Sequence, residues 1–307
     1  MRRPRTADGV AYRAAAVGIA CAVLLAAVYV MAVWTQTGQH FEDGVLSAAA
    51  GSVGERQAYL AQLMLSTVRK ASTIAAVAVI LGIGLLRRQA YAAILGAGVV
   101  VAAAVTTQIL QAVVERPILL RSGYRRDDQS FPSGHTAIAM SVLTGLLLVV
   151  PHRFRWYAVA IAAPAAIGMG VATVTVGWHR PSDTVGSDLI VLVYACLAIV
   201  LLARSGRVRD AQQRPVHAVA FGVVAAVLSA VVLLALSTGG SVFTVGRTIV
   251  LVAGIGSALA FLALVHGVEF GTARAEPPAQ CVAQRGPAAV SLERDLEDGR
   301  EEAGRQN

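Results

Sequence analysis

Two short segments carry the residues able to do chemistry. Phe131-Pro132-Ser133-Gly134-His135 and Gly177-Trp178-His179-Arg180-Pro181-Ser182-Asp183 each set a histidine beside small or helix-starting residues, at the mouth of a long apolar run. Asp183 follows His179 by four residues. At that spacing its carboxylate can accept from one imidazole nitrogen and leave the other free to attack phosphorus. The plainer reading of Asp183 alone is a residue that favours a helix N-terminus. Ser133 is a natural N-cap, Gly134 lets a ligand approach the backbone, and the free N–H groups of a helix start attract anions. His135 in that position can protonate a leaving oxygen, where an isolated histidine would be an ordinary interfacial one. Upstream, Arg116-Pro117 closes another apolar run. A planar guanidinium suits phosphate because it binds bidentately, although a lone arginine there would read as snorkelling to headgroups.

The elements that must position these residues are membrane helices. The chain has 307 residues, is 56% hydrophobic and carries a net charge of +8, with a mean hydropathy of +0.64. A soluble domain could not hide so much apolar surface. Eight spans are expected, near 14–34, 67–86, 90–113, 133–150, 157–176, 184–203, 216–236 and 246–266. Arg69 and Lys70 interrupt the outer end of the second. The first run is longer than a signal-peptide core, so it reads as a retained span.

The positive charge sits in short segments between apolar runs, which argues for membrane orientation and against nucleic-acid binding. Arg2, Arg3, Arg5 and Arg13, then Arg87/Arg88, Arg153/Arg155 and the Arg204–Arg214 cluster all fall on one face under the eight-span reading. That face is expected to be cytoplasmic, with both termini. By the same parity, the loop carrying Arg116, Ser133 and His135 and the loop carrying His179 and Asp183 open together on the extracytoplasmic side. The three cysteines form no metal or disulfide pattern. The polar segment from about Gly267 reads as a disordered tail.

In order, side and residue type the motifs resemble the type 2 phosphatidic acid phosphatase superfamily, the membrane relatives of vanadium haloperoxidases and bacterial acid phosphatases. The family pattern runs Lys…Arg-Pro, then Pro-Ser-Gly-His, then Ser-Arg…His…Asp. Arg116-Pro117 matches the end of the first element, Pro132-Ser133-Gly134-His135 the whole of the second, and His179 with Asp183 the end of the third. The resemblance covers about residues 90–203. It implies that His179 is the nucleophile forming a phosphohistidine, that Asp183 orients it, and that His135 is the acid for the leaving group. It also implies that Arg116, Ser133 and the Gly134 amide hold the phosphate, without a metal or other cofactor.

Two positions depart from the pattern. Ile109 stands where the family lysine is expected, and Ala172-Thr173 where Ser-Arg is expected. Arg180 is the expected substitute phosphate ligand, and Arg121, Arg125, Arg126, Arg69 and Lys70 are further candidate cations.

The reading is therefore an all-α polytopic transmembrane bundle of about eight spans. It comprises a cytoplasmic N-terminus (1–13), a six-helix phosphatase-like core (14–203), a C-terminal helix pair (204–266) and a cytoplasmic tail (267–307). The expected activity is hydrolysis of a lipid phosphate or polyprenyl diphosphate at the outer face of the cell membrane. The expected partners are the bilayer and that substrate. Two rivals remain: a lipid-phosphate binding or transport protein with little turnover, and a phosphotransferase using the same histidines.

Overall fold

A computed structural model describes residues 7–120, 129–210 and 241–271. The helices are α1 (Ala7–Val33), α2 (Gln36–Ser52), α3 (Glu55–Leu65), α4 (Lys70–Leu86), α5 (Ala90–Val113), α6 (Gly134–Val149), α7 (Arg155–Thr175), α8 (Pro181–Arg204) and α9 (Val242–Val265). Seven expected spans coincide with α1 and α4–α9; the one at 216–236 lies outside the described residues. Among the described residues five helices are long and apolar enough to cross a bilayer, and α3 with α4 adds a sixth if that pair, bent by 55°, is one span. The chain is a multi-pass membrane helical bundle.

Proline and glycine set the boundaries that matter. Helix α6 has 16 residues, about 24 Å at 1.5 Å per residue, less than the roughly 30 Å hydrocarbon core. Pro132 and Pro151 frame it: Ser133 caps its start, and Val150 is held extended at φ −74°, ψ 137° by the proline that follows. Gly177 ends α7 with φ +71°, a left-handed conformation that favours glycine. Pro181 is the first residue of α8, where its missing N–H costs nothing. Only residues 176–180 separate the two helices, so His179 is fixed at the turn.

The core forms around α8, which is buried along most of its length and packs against α1, α5, α6 and α9. Small residues permit the closest crossings. Cβ atoms at Gly96 and Gly145 would lie 3.0 Å and 2.9 Å from each other's backbone carbonyl oxygens, so α5 and α6 meet backbone to backbone. This crossing sets the helix followed by Arg116 beside the helix begun by His135.

The end of the bundle opposite the motifs is tied by arginine. Arg155 donates to the carbonyls of Leu147 (2.9 Å), Val265 (2.6 Å) and Val268 (2.5 Å). Arg87 pairs with Glu269 at 3.2 Å. Residues 268–270, which the sequence assigns to the polar tail, instead form a strand (β2, Val268–Phe270) antiparallel to β1 (Val208–Asp210). Val268 and Phe270 are buried against the core, and that apolar anchorage extends the folded unit beyond the expected boundary.

Substituting Gly145 by Val should lower stability by about 1–3 kcal/mol, because the added atoms meet the α5 backbone and Ile80. Gly98, with nothing within 4 Å of its Cβ direction, should accept Ala without loss. Thermal unfolding in detergent checks both.

Candidate active site

Asp183 is the third residue of α8, and its carboxylate does the two jobs that the sequence offers as alternatives. Its Oδ2 accepts the backbone N–H of Arg180 at 2.9 Å, closing the helix start as in a capping box. The same oxygen lies 3.3 Å from Nδ1 of His179 and accepts the Ser130 hydroxyl at 2.6 Å. An ionised carboxylate only accepts, so Nδ1 carries the proton and Nε2 keeps its lone pair. Ser130 was not singled out by the sequence, since a serine before Phe-Pro carries no distinctive spacing.

The two motif loops are stitched together through backbone groups. The Ser133 N–H donates to the Asp183 carbonyl at 3.0 Å. Ser187 Oγ lies 2.7 Å from the Ser133 carbonyl oxygen and 2.8 Å from that of Asp183. Ser133 caps α6 by accepting from Thr136 N at 3.4 Å. Gly134 faces open space, so the first turn of α6 is open to an anion. The His135 ring stands edge-on to Trp178 with centroids 5.8 Å apart, immediately before His179. Both histidines and Asp183 therefore gather at one end of the bundle.

Arg116 joins them from the segment after α5. Its NH1 and NH2 are buried with no hydrogen-bond partner among the described residues. Burial pushes its pKa down and the Arg180 charge adds to that, while Asp183, Glu42 and Asp43 oppose the shift. A buried guanidinium with an unfilled fork is an unfinished anion site.

The remaining cations are placed differently. Arg180 is 0% exposed, donates Nε (3.1 Å) and NH2 (3.0 Å) to Asp43 Oδ1, and reaches Ser130 through NH1. Ile109 is 54% exposed on the outer surface of α5. Thr173 is fully buried; its hydroxyl donates to the Gly170 carbonyl, and its own carbonyl accepts the N–H groups of Trp178 and His179. Arg69 and Lys70 are exposed at the α3–α4 bend, with Arg69 Nε on the Ser66 carbonyl. Arg121, Arg125 and Arg126 lie outside the described residues.

Helix α2 supplies residues the sequence reading overlooked. Glu42 accepts both Ser182 N–H (3.1 Å) and Ser182 Oγ–H (2.6 Å). Burial raises its pKa to about 7, the Asp183 charge adds to the rise, and the Ser182 hydrogen bonds and Arg116 oppose it. The available signal is the adjacent pair Glu42-Asp43 between two apolar runs.

Removing the Asp43 carboxylate should cost about 3 kcal/mol, because it takes a charge partner from a fully buried guanidinium. Adding Arg180→Met should recover much of that loss. Chemical or thermal unfolding of both variants in detergent is the check.

Among the described residues no group of three or more metal-ligating side chains occurs. No curated protein and no solved structure matches the chain. Residues 99–207 match the family model of the PAP2 superfamily, and this stretch contains Arg116, Ser133, His135, His179 and Asp183. Over that segment the chain is similar to the PAP2 superfamily, whose members are phosphatases.

Proposed function

We propose that this chain hydrolyses a lipid phosphate or polyprenyl diphosphate at the extracytoplasmic face of the cell membrane through a phosphohistidine. The observation that carries the reading is the unfilled Arg116 fork in the same charged cluster as the His179–Asp183 pair. His179 Nε2 attacks phosphorus while Asp183 holds the Nδ1–H and stabilises the imidazolium that forms. His135 gives its proton to the departing oxygen, then takes one from the water that cleaves the P–N bond. Phosphate leaves and His179 returns to its starting form. Arg116 and the open first turn of α6 are aimed at the charge that grows on the phosphoryl oxygens; one such donor is worth about 3 kcal/mol.

A lipid substrate fits the surroundings. A cavity of about 200 Å³ lies among α4, α6 and α7, lined by Ile138, Ala139, Val142, Ala166 and Met169, with Thr67, Ser72 and Thr73 among its polar lining. Ile138 and Ala139 stand one helical turn below His135, so an apolar tail can lie there with its headgroup at the histidines.

A second reading, binding or transport without turnover, is favoured by Ile109 and Thr173. One points outward and the other is committed to the α7 turn, so neither position supplies the expected cation.

Phosphate release from detergent-purified protein in chelator, over a panel of lipid phosphates and diphosphates, separates the two. The expected result is release by the wild type and a loss of about 10³-fold or more in His179→Ala. A folded wild type that binds these lipids and releases no phosphate would establish the binding reading instead.

A further inference from the structure

Helix α2 lies outside the matched segment, yet its buried face carries Gln39, Glu42 and Asp43. Together they grip two segments of the site. Gln39 donates to the Pro117 carbonyl (2.7 Å) and accepts the Leu119 N–H (3.2 Å), which fixes the segment bearing Arg116. Asp43 holds Arg180, and Glu42 holds Ser182 through both of its oxygens. One short helix therefore sets the distance between the guanidinium of Arg116 and the start of α8.

We propose that Glu42 is a positioning residue that clamps the nucleophile's helix through Ser182 and, by gaining or losing a proton, sets how strongly Arg116 grips a phosphate. The inference rests on the phosphate-binding reading of Arg116 given above.

The groups around Glu42 make its charge decisive. Asp43 neighbours it on α2; Asp183 and Arg180 face it at the start of α8, and Arg116 faces it from the segment after α5. His179 lies against Asp183, and α2 and α8 also carry His40 and the buried Asp188. Helix α1 adds Tyr29, whose hydroxyl is on the Glu115 carbonyl, with Asp8, Tyr12, Arg13 and Cys21 further toward its start, and α9 adds Arg247, which stacks on Phe243. Residues 171–175, the part of α7 nearest the site, are uncharged. With Glu42 ionised, three carboxylates (Glu42, Asp43, Asp183) face two guanidinium groups (Arg116, Arg180). With Glu42 protonated the two kinds balance, and an incoming anion meets less repulsion.

A protonated Glu42 still accepts the Ser182 N–H and donates to Ser182 Oγ, so the clamp survives the proton while the field changes. The pKa raised to about 7 puts this change near neutral pH. Anion affinity should therefore fall as pH rises through that region.

Sulfate is a suitable probe because its charge stays fixed over the range in which Glu42 and the histidines titrate. Its dissociation constant would be measured on purified wild type, Glu42→Gln, Ser182→Ala and Arg116→Ala in detergent, at pH 5.5 and 8.5 and at points between. Gln keeps both contacts with Ser182 and stays neutral, and the histidine contribution is common to both proteins. The wild-type to Glu42→Gln ratio of dissociation constants should be near one at pH 5.5 and about tenfold or more at pH 8.5, the direction and least size expected for removing one like charge near a dianion. Ser182→Ala deletes a hydrogen bond that favours the ionised carboxylate, so its affinity midpoint should move to higher pH. This second variant decides the matter if Glu42→Gln does not fold. A ratio independent of pH, or an unmoved midpoint in Ser182→Ala, would overturn the role of Glu42 while sulfate binding that is lost in Arg116→Ala keeps the phosphate site. A wild type that binds no sulfate at any pH would overturn the phosphate site itself, and this inference with it.

Discussion

The structure turns on one carboxylate oxygen. Asp183 Oδ2 collects the Arg180 N–H, the Ser130 hydroxyl and the His179 imidazole, in a position buried beneath the site. The first contact starts α8, the helix against which the bundle packs. The second ties down the residue just before Phe131-Pro132. The third fixes which imidazole nitrogen holds a proton. Helix capping and orientation of the His179 imidazole are therefore the work of the same oxygen. Both depend on a negative charge at a helix start, where the backbone dipole favours it.

Around that oxygen the protein keeps an unusually dense set of buried charges. Arg180 and Asp43 form a close pair in the interior, and Glu42 sits beside them with its hydrogen bonds filled by Ser182. Taking such groups out of water is costly unless each finds a partner. Here each partner belongs to a different segment, so meeting the electrostatic requirement also fixes the relative positions of α2, α8 and the Phe131-Pro132 loop. Arg116 NH1 and NH2 and the second oxygen of Asp183, Oδ1, are buried and unmatched among the described residues. Of these, the cationic fork is the one whose chemistry suits an anion.

The far end of the bundle uses the same device for stability alone. Arg155 spends its donors on three carbonyls from the ends of α6 and α9 and from β2, and Glu269 meets Arg87. Arginine, with its planar fork and five donors, suits this joining of chain ends. The difference between the two ends is that the donors of Arg155 meet carbonyl oxygens while the fork of Arg116 does not.

Apolar run length, proline and glycine placement, and the spacing of His135, His179 and Asp183 were enough to read the helical class, seven of the helices and the histidine motifs from the sequence, although only five of the described helices, or six with the bent pair, are long and apolar enough to cross a bilayer. These signals are local: a span needs a continuous stretch, a cap needs a few adjacent residues, and a four-residue spacing keeps two side chains together on any helix start. The 16-residue length of α6 is local in the same sense, being set by Pro132 and Pro151. The contribution of α2 was not legible, because Glu42 and Asp43 lie more than 130 residues before the Ser182 and Arg180 that they hold. Nor was the commitment of Arg180 to Asp43, or of Thr173 to the α7 turn. Which charges neutralise one another, and which one is left to meet a ligand, depends on distances between segments far apart in the chain, and only the packed bundle sets those distances.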